Sequence, residues 1–289
     1  MIHEIQAVTL LNSVKQPDPW FGLKYNMNLY RGCQHQCIYC DSRSQCYGIE
    51  NFRDILVKVN AIDLLRQELA RKRVKGTIGT GSMNDPYMPV EKQYRLTAQA
   101  LAVIAQFRFP VHVITKSDLV LRDLETLRQI NAVYAAVSFS LSTVDDDLAR
   151  KVEPGAPVPS RRLQAMAQLA QAGIVTGVVM MPVLPFIEDE AASVQRLVQM
   201  AVDHGASYII PSLGVTLRDR QRAYYYAQLD RHFPGLRQQY QRRYGRDYFC
   251  PVPEYGVLQQ AFAAWCAAAG LPTRMPMYEP ETAQQLSLF

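Results

Sequence analysis

Short apolar runs typical of buried strands alternate with helical segments through the first three quarters of the chain. These runs occupy residues 24–30, 75–82, 111–115, 132–141, 174–185 and 207–213. The intervening segments are long enough for right-handed crossovers, which favours parallel strands with helices on their faces. Six repeats are too few for a closed eight-stranded barrel. The pattern therefore predicts an α/β fold, a partial (β/α)6 barrel of the TIM type, with its ligand site at the carboxyl ends of the strands.

The repeats also suggest how the chain is divided. We expect an N-terminal lead-in over residues 1–23, the barrel over 24–214, a helical extension rich in Arg and Tyr over 215–280, and a flexible tail over 281–289. Asp118 and Ser160 are the predicted N-caps of two barrel helices. With 48% apolar residues, the chain has enough hydrophobic side chains for a sizeable core.

The sequence lacks the patterns of membrane and secreted proteins. It has no apolar run near the ~20 residues that a membrane span needs, and its first residues do not resemble a signal peptide. We therefore expect a cytoplasmic protein without membrane contact, in which cysteines stay reduced. Clustered cysteines in such a protein indicate metal binding or catalysis more than disulfides.

Four of the six cysteines lie within residues 33–46. Cys33, Cys37 and Cys40 form the pattern C-x3-C-x2-C, which can turn three thiolates toward one point. An iron–sulfur cluster held by three cysteines has one iron open to another ligand, since four-iron clusters ordinarily take four. The alternative is a structural zinc site, which needs four ligands and would be closed by Cys46 or His35.

This pattern resembles the signature of radical S-adenosylmethionine (radical SAM) enzymes, with Tyr39 as the aromatic residue before the third cysteine. The resemblance implies a [4Fe–4S] cluster whose open iron is chelated by the amino and carboxylate groups of SAM. It also implies a low-potential electron donor, cleavage of SAM, and a 5′-deoxyadenosyl radical that abstracts hydrogen from a substrate. The family fold is a partial (β/α)6 barrel.

Further segments resemble the spore photoproduct lyase-like branch of that superfamily. They are residues 28–40, 79–91, 114–123, 137–162 and 180–189, and each falls at the end of a predicted strand. The resemblance implies that they bind the cofactor. The residues it points to, with Tyr39, are Gly81, Ser82 and Asp85 for the SAM amino group, Lys116 for its carboxylate, Ser140 or Ser138 for the ribose, Glu153 with Arg161 or Arg162 as a charged clamp, and Met180 or Met181 for the adenine. The alternatives are a plain turn at 81–85, solvated charges, and core methionines.

One position departs from the photoproduct lyases. Those enzymes carry a cysteine in the loop after the second strand, as hydrogen donor to the product radical, and this chain has Ser82 at the aligned place. An O–H bond is a far poorer hydrogen donor than S–H, so photoproduct repair itself is not predicted. The candidate catalytic residues are Ser82, Tyr87 and Cys46. Asp41 also replaces an aromatic residue of the lyases.

The extension is strongly basic. Residues 216–247 hold eight arginines against three aspartates, and tyrosines lie among them. Arginine can bind phosphate and tyrosine can stack on unpaired bases. The nucleic-acid candidates are Arg218, Arg222, Tyr224, Arg242 and Arg243. The alternative is a helical extension whose tyrosines pack on the barrel and whose arginines are solvated.

The last five residues resemble the peptide with which bacterial DNA-processing proteins bind the sliding clamp. Gln285 would fix the register, and Leu286, Leu288 and Phe289 would supply apolar contacts. The alternative is a terminus that docks on its own domain.

Three functions follow from these features. The first is a radical SAM enzyme, lyase-like, that acts on nucleic acid and is related to DNA repair. The second is a radical SAM enzyme for a peptide or a small metabolite, with a structural extension. The third is a zinc-binding nucleic-acid module without catalysis.

Overall fold

The computed structural model describes residues 1–16 and 19–280 of the chain. Within that part, the strands are β1 (Ile2–Ile5), β2 (Leu11–Ser13), β3 (Tyr25–Met27), β4 (Tyr30–Arg31), β5 (Ile55–Lys58), β6 (Ile78–Thr80), β7 (Val111–Thr115), β8 (Ala135–Ser140), β9 (Val175–Met180), β10 (Ile209–Pro211), β11 (Gly214–Thr216) and β12 (Phe249–Pro251). The main sheet has the order β10-β9-β8-β7-β6-β3-β2. Six of its strands are parallel, and only β2 is antiparallel, to β3. This is the predicted α/β architecture of six parallel strands.

Helices connect the parallel strands and cover the sheet. In the described residues they are α1 (Ala61–Ala70), α2 (Glu91–Tyr94), α3 (Leu96–Gln106), α4 (Leu124–Asn131), α5 (Asp146–Val152), α6 (Pro159–Gln171), α7 (Ala191–Asp203), α8 (Asp219–His232), α9 (Leu236–Tyr244) and α10 (Tyr255–Ala268). In α7, Val194, Leu197, Val198 and Ala201 are buried at helical spacing. That apolar stripe explains why the segment forms a helix packed on the sheet. Among the described residues, no helix has the length and apolar character of a membrane span.

Two smaller sheets flank the barrel. One has the order β1-β5-β4, and the other is the antiparallel pair of β11 and β12. We call this pair, residues 214–216 and 249–251, the ribbon. Strands of three residues carry almost no periodic signal, which explains why the sequence predicted only helices after residue 214.

The segment after α10 returns to the barrel. Ile209, the first residue of β10, donates a backbone hydrogen bond to the Pro272 carbonyl over 2.9 Å. This segment therefore lies beside β10, at the edge of the main sheet. Met275 is buried beside Tyr208, with Phe21 packed against the same cluster. The chain after α10 therefore contributes to the barrel core.

The predicted helix caps are wrong. Asp118 is the first residue of a 3-10 helix, Asp118–Asp123, that precedes α4. The residue that caps this 3-10 helix is Ser117, whose hydroxyl accepts a hydrogen bond from the Leu119 amide. Ser160 lies inside α6, and its hydroxyl donates to Asp146 instead. Both positions carry residues that cap helices well, but a neighbouring residue starts the element.

Candidate active site

A cavity of about 440 Å³ lies at the carboxyl ends of the barrel strands. Its lining comes from the cysteine loop, from the residues that end or follow β6 to β10, and from the ribbon strand β11. Parallel strands place their carboxyl ends at one edge, so residues far apart in sequence meet there. The position of the cavity agrees with the predicted position of the ligand site.

Cys33, Cys37 and Cys40 all line this cavity. Burial raises the pKa of the Cys33 thiol to about 12. Burial also raises the pKa of the Cys37 thiol well above its ordinary value, while the Lys116 charge lowers it and the charges of Glu153 and the other two cysteines raise it. The three cysteines line one cavity, although no three His, Cys, Asp or Glu side chains of the described residues are placed to hold a single metal ion. A group that binds thiolates, such as a metal cluster, would favour their deprotonated form.

Backbone contacts hold the cysteine loop against the barrel. Gly155 donates to the His35 carbonyl over 2.9 Å, and Ile38 donates to the Val152 carbonyl over 2.9 Å. A Cβ on Gly155 would collide with the Gln34 carbonyl oxygen. Residues 152–155, at the end of α5, thus hold the cysteine loop through backbone hydrogen bonds. Glycine at position 155 allows the two backbones to approach this closely.

The turn after β6 is built around Gly81. Its φ of +92° is unfavourable for other residues, and a Cβ there would collide with the Ile114 carbonyl oxygen. Ser82 accepts a hydrogen bond from the Asn26 side chain over 2.9 Å. Asp85 accepts from the Thr115 hydroxyl over 2.7 Å and from the Lys116 amide over 2.5 Å. Gly81, Ser82 and Asp85 all line the cavity.

Opposing effects set the charge state of Asp85. Burial would raise the pKa of its carboxyl group, but His35 and the hydrogen-bond donors around it lower that pKa to about 2. The carboxyl group is therefore an anion in a nearly closed environment, and its charge is balanced by donors rather than by water.

A second polar network joins the ends of β7 and β8 to the cysteine loop. Lys116 Nζ donates to the Ser140 hydroxyl over 2.8 Å and lies 3.7 Å from Glu153 Oε1. The Tyr39 hydroxyl donates to the same Glu153 oxygen. Burial lowers the pKa of the Lys116 ammonium, but the charges of Glu153, Cys37 and Asp85 together outweigh this effect and the pKa is raised. A fixed positive charge therefore faces the cavity that the three cysteines line.

A match to a protein family shows which family the chain belongs to. The model of the radical SAM superfamily matches residues 27–198, which include the cysteine loop, the last residue of β3 and the four parallel strands β6 to β9. The chain belongs to the radical SAM superfamily. Its activity is therefore that of a radical SAM enzyme, and the zinc module without catalysis is set aside.

Known proteins agree with this family. An uncharacterized protein of Mycobacterium tuberculosis is 30% identical over 288 residues, which cover 97% of this chain and 84% of that protein. Spore photoproduct lyase complexed with dinucleoside spore photoproduct has a TM-score of 0.71 at 17% identity, covering 96% of this chain and 82% of that one. A mutant of the lyase with bound SAM and the same dinucleoside has a TM-score of 0.70 at 15% identity, covering 96% and 81%. At these identities the structures show a shared fold.

Radical SAM proteins bind a [4Fe–4S] cluster and SAM, and the cavity of this radical SAM protein fits both. Its three cysteine thiols, of which those of Cys33 and Cys37 are buried and that of Cys40 is partly exposed, could hold three irons and leave the fourth open. Lys116 and Ser140 face the same cavity and could hold the carboxylate and ribose that the resemblance assigns to them. The buried anion of Asp85 could pair with the amino group. These individual roles remain predictions.

Three predicted cofactor residues, Glu153, Arg161 and Met180, lie outside the cavity lining. The Arg161 guanidinium is 61% exposed and pairs with Asp118, whereas the neighbouring Arg162 is the buried partner of Glu153. Of the two arginines, Arg162 is the one that pairs with Glu153, but neither of these two side chains lines the cavity, so the cofactor clamp stays a prediction. Met180 is fully buried in the core, and Met181 lines the cavity instead.

The candidate catalytic residues are also separated. Ser82 lines the cavity. The Tyr87 hydroxyl is buried and donates to Asp123 over 3.0 Å, outside the cavity lining. Cys46 is exposed and its sulfur lies 3.3 Å from the Ser44 hydroxyl, also outside the lining. Of the two alternative fourth ligands, Cys46 is exposed, whereas His35 is buried and lines the cavity.

Most nucleic-acid candidates make internal contacts. Arg218 pairs with Asp41, and Arg222 donates to backbone carbonyls, including that of Gly245 over 3.0 Å. Tyr224 stacks on the Arg43 guanidinium at 3.7 Å. Arg243 donates to the Pro253 carbonyl over 2.8 Å, whereas Arg242 is exposed. The tyrosines of α8 and α9 that pack inside are Tyr225, Tyr226, Tyr240 and Tyr244. The packing interpretation describes these side chains better than base stacking does.

The sequence did not indicate that the ribbon forms part of the cavity wall. Gly214, Val215 and Thr216 line the cavity, and Arg218 just after them reaches the cysteine loop through Asp41. Asp41 is the position noted for its departure from the lyases. The Asp41 carboxylate next to Cys40 was the signal in the sequence, because such a charge favours a cationic partner, here Arg218.

Proposed function

We propose that this radical SAM enzyme acts on nucleic acid and holds an unpaired base at the mouth of its cavity. The observation that carries the proposal is a pair of exposed aromatic side chains beside the cavity. Tyr248 is 52% exposed and Phe249 is 40% exposed. Exposed aromatic rings next to an enzyme cavity are suited to stacking on a flat ligand.

The ribbon connects these rings directly to the cavity lining. Phe249 is the cross-strand partner of Thr216, and a Cβ on Gly214 would lie 2.7 Å from Phe249 Cζ. The Phe249 ring thus lies against the backbone of a cavity-lining residue. Leu217 donates to the Tyr248 carbonyl over 2.8 Å, which extends the pairing to the second ring. A ligand that leaves the cavity along Gly214 would meet the Phe249 ring, with Tyr248 on the adjoining residue.

Positive charge surrounds the two rings. The Arg218 guanidinium lies 5.4 Å from the centre of the Tyr248 ring, on the side of the Asp41 ion pair. Arg242 and Arg246 are exposed on the adjoining segment. Rings for bases beside arginines for phosphates form the usual combination of a single-strand binding surface. The likeness in fold to a lyase complexed with a dinucleoside supports the same substrate class.

The bound cofactors would supply an electron, the cleavage of SAM and a radical that takes hydrogen from the substrate. The chain supplies the surroundings of that reaction. Lys116 and Ser140 orient a ligand from one wall, and the Gly81 turn lets backbone approach from another. The buried walls around Tyr39 exclude water from the cysteine loop, which limits side reactions of a radical. Ser82 is the candidate hydrogen donor that lies in the cavity.

Binding of a fluorescent single-stranded DNA oligonucleotide tests the surface. We expect anisotropy to show binding that weakens with salt, and Phe249→Ala or Tyr248→Ala to lower affinity by about ten- to a hundredfold, since stacking contributes ~1–3 kcal/mol per base. Tyr255→Ala is the matched control, an exposed aromatic outside the cavity lining and the ribbon. Equal affinity of all variants, or no DNA binding, would favour a peptide or small metabolite as substrate.

The terminal peptide is a separate proposal. Gln285, Leu286, Leu288 and Phe289 lie outside the described residues, and their match to the clamp-binding pattern supports a sliding clamp as partner. A low-potential electron donor is the other partner that the proposed reaction needs. Clamp binding would place the enzyme on DNA without adding to its cavity.

A further inference from the structure

Four cations lie just after the end of α1, on the side of the barrel opposite the cavity. No acidic residue occurs between Glu68 and Asp85, and the cations in this stretch are Arg71, Lys72, Arg73 and Lys75. Their loop leads into the amino end of β6, whereas the cavity lies at the carboxyl ends of the strands. Strand β7, at ~3.3 Å per residue, separates the two sides by about 17 Å. These cations therefore lie outside the site described above.

Arg108 adds a fifth cation from the neighbouring loop, between α3 and β7. Lys75 Nζ donates to the Phe107 carbonyl in that loop. Burial lowers the pKa of the Lys75 ammonium, and the Arg108 charge lowers it further. The two loops thus bring their positive charges together. We call these five residues the basic patch: Arg71, Lys72, Arg73, Lys75 and Arg108.

Buried aromatic rings hold the two lysines of the basic patch. Lys72 Nζ lies 5.0 Å from the centre of the Tyr25 ring, and Lys75 Nζ lies 4.1 Å from the centre of the Phe109 ring. Both rings are buried, and their centres are 6.2 Å apart. Cation–π contacts with a rigid pair of rings restrict the two long side chains. The ammonium groups are therefore already ordered before a ligand binds.

The basic patch has no carboxylate partner within the part of the chain that the structure describes. The ion pairs there are formed by other cations. The extension differs, because Arg218, Arg222 and Arg243 contact carboxylates or carbonyls of the protein itself. Helices α1 and α3 both end beside the basic patch, and the partial negative charge of their carboxyl ends offsets part of the repulsion among its cations. The remaining positive charge favours an anionic ligand from outside.

We propose that the basic patch binds the phosphate backbone of nucleic acid, on a second surface that is separate from the cavity. This inference rests on the proposed function for its class of ligand. It adds a place where the polymer is held through its phosphates, without contact to its bases.

The composition of the basic patch favours nucleic acid over a protein or a membrane. Its loop exposes one apolar side chain, Val74, which is 59% exposed. Protein interfaces have an apolar core that is depleted in lysine, and binding to a membrane surface takes a wider apolar face. A phosphate backbone needs only cations at suitable positions.

Binding of a short, labelled, blunt-ended DNA duplex to the full-length holoenzyme tests the basic patch by itself, because a duplex has no unpaired base to stack on Tyr248 or Phe249. The two test variants each remove two charges: Lys72→Gln with Lys75→Gln, and Arg71→Gln with Arg73→Gln. We expect each to weaken binding at low salt by about tenfold or more. Each should also reduce the slope of log affinity against log salt concentration by about 2, since each lost phosphate contact removes about 1.

A third variant controls for net charge. Lys151→Gln with Arg196→Gln removes the same charge from exposed positions on α5 and α7, and should bind duplex like the wild type. Arg71 and Arg73 are exposed, so their variant should keep the urea midpoint of the wild type even if loss of the two lysines disturbs folding.

Several outcomes would overturn the proposal: no binding of duplex, equal affinity in the patch and control variants, an unchanged salt slope, or binding of polyglutamate as strong as that of duplex. Failure of the proposed function looks different. In that case Phe249→Ala would leave the affinity for single strands unchanged, while duplex binding still responded to the patch variants. If duplex did not bind but Phe249→Ala weakened single-strand binding, only the basic patch would be refuted.

Discussion

Arg162 Nη2 lies 2.6 Å from Glu153 Oε2, and the two side chains are only 1% and 2% exposed. The Arg162 guanidinium also donates to the Ser140 carbonyl over 2.9 Å and to the Pro157 carbonyl over 2.6 Å. The second Glu153 oxygen accepts from Tyr39, next to the third cysteine. This pair thus joins α6 and the end of β8 to the cysteine loop.

Loss of Arg162 should leave the buried Glu153 carboxylate with only the more distant Lys116, 3.7 Å away, to balance its charge. We expect Arg162→Met to lower the free energy of unfolding by about 3–5 kcal/mol, measured by urea denaturation. Arg161→Met is the matched control at the next position, where the ion pair with Asp118 is exposed and should contribute less than about 1 kcal/mol. Similar losses in the two variants would contradict a special role of the buried pair.

Glu188 should make stability depend on pH. Burial raises the pKa of its carboxyl group to about 8, well above its ordinary value. The folded state therefore holds a proton between about pH 4.5 and 8 that the unfolded state releases, so the contribution of Glu188 to stability is lost as pH rises through about 8. Glu188→Gln keeps the contacts with Ser142 and Leu184 without titrating.

Urea midpoints at pH 6, 7, 8 and 9 measure this effect. Relative to the wild type, Glu188→Gln should gain stability from pH 6 to about pH 8 and level off by pH 9, where Glu188 has lost its proton in both states. Glu190→Gln is the control, because that side chain is exposed. Stability curves of wild type and Glu188→Gln that stay parallel across this range would refute the assignment.

Alanine variants of the cysteines should differ in how much iron they bind. After anaerobic reconstitution, the wild type should hold about four irons per chain, the content of one [4Fe–4S] cluster. Alanine at Cys33, Cys37 or Cys40 should abolish the brown colour and the formation of 5′-deoxyadenosine from SAM. Cys46→Ala is the control, because Cys46 is exposed and outside the cavity lining. Loss of the cluster in Cys46→Ala would make it a fourth ligand and close the open iron.

The terminal peptide can be tested by pull-down on a bacterial sliding clamp. Removal of Leu288 and Phe289 should abolish recovery, because these side chains would fill the apolar pocket. Gln284→Ala, one residue before the predicted peptide, should be recovered like the wild type. Undiminished recovery of the truncated chain would end the clamp proposal.

The sequence predicted the parallel sheet and a meeting of Cys33, Cys37 and Cys40 at one cavity, for a physical reason. Buried parallel strands need nearly continuous apolar residues, and three thiolates on one cluster need close spacing in the chain. Both requirements act over a few residues, so they are visible locally. Strand β7 was predicted with the bounds that it has, Val111–Thr115.

Other features depend on contacts that local patterns do not contain. Nothing near Arg161 and Arg162 distinguishes the exposed guanidinium from the buried one, because the choice depends on how α6 meets Glu153. The ribbon pairs residues 214–216 with 249–251 across two helices, and neither strand is long enough to show alternation. The sequence shows how many arginines the extension holds, but not which carbonyl and carboxylate groups these arginines contact.

Transfer of deuterium tests the nucleic-acid function most directly. The holoenzyme would be incubated with SAM, a reductant and single-stranded oligonucleotides deuterated in their nucleosides, and 5′-deoxyadenosine would be analysed by mass spectrometry. The proposed function predicts deuterium in this product, with less of it in the Phe249→Ala variant. Product that stays unlabelled with every oligonucleotide, while a deuterated peptide or metabolite labels it, would contradict the account.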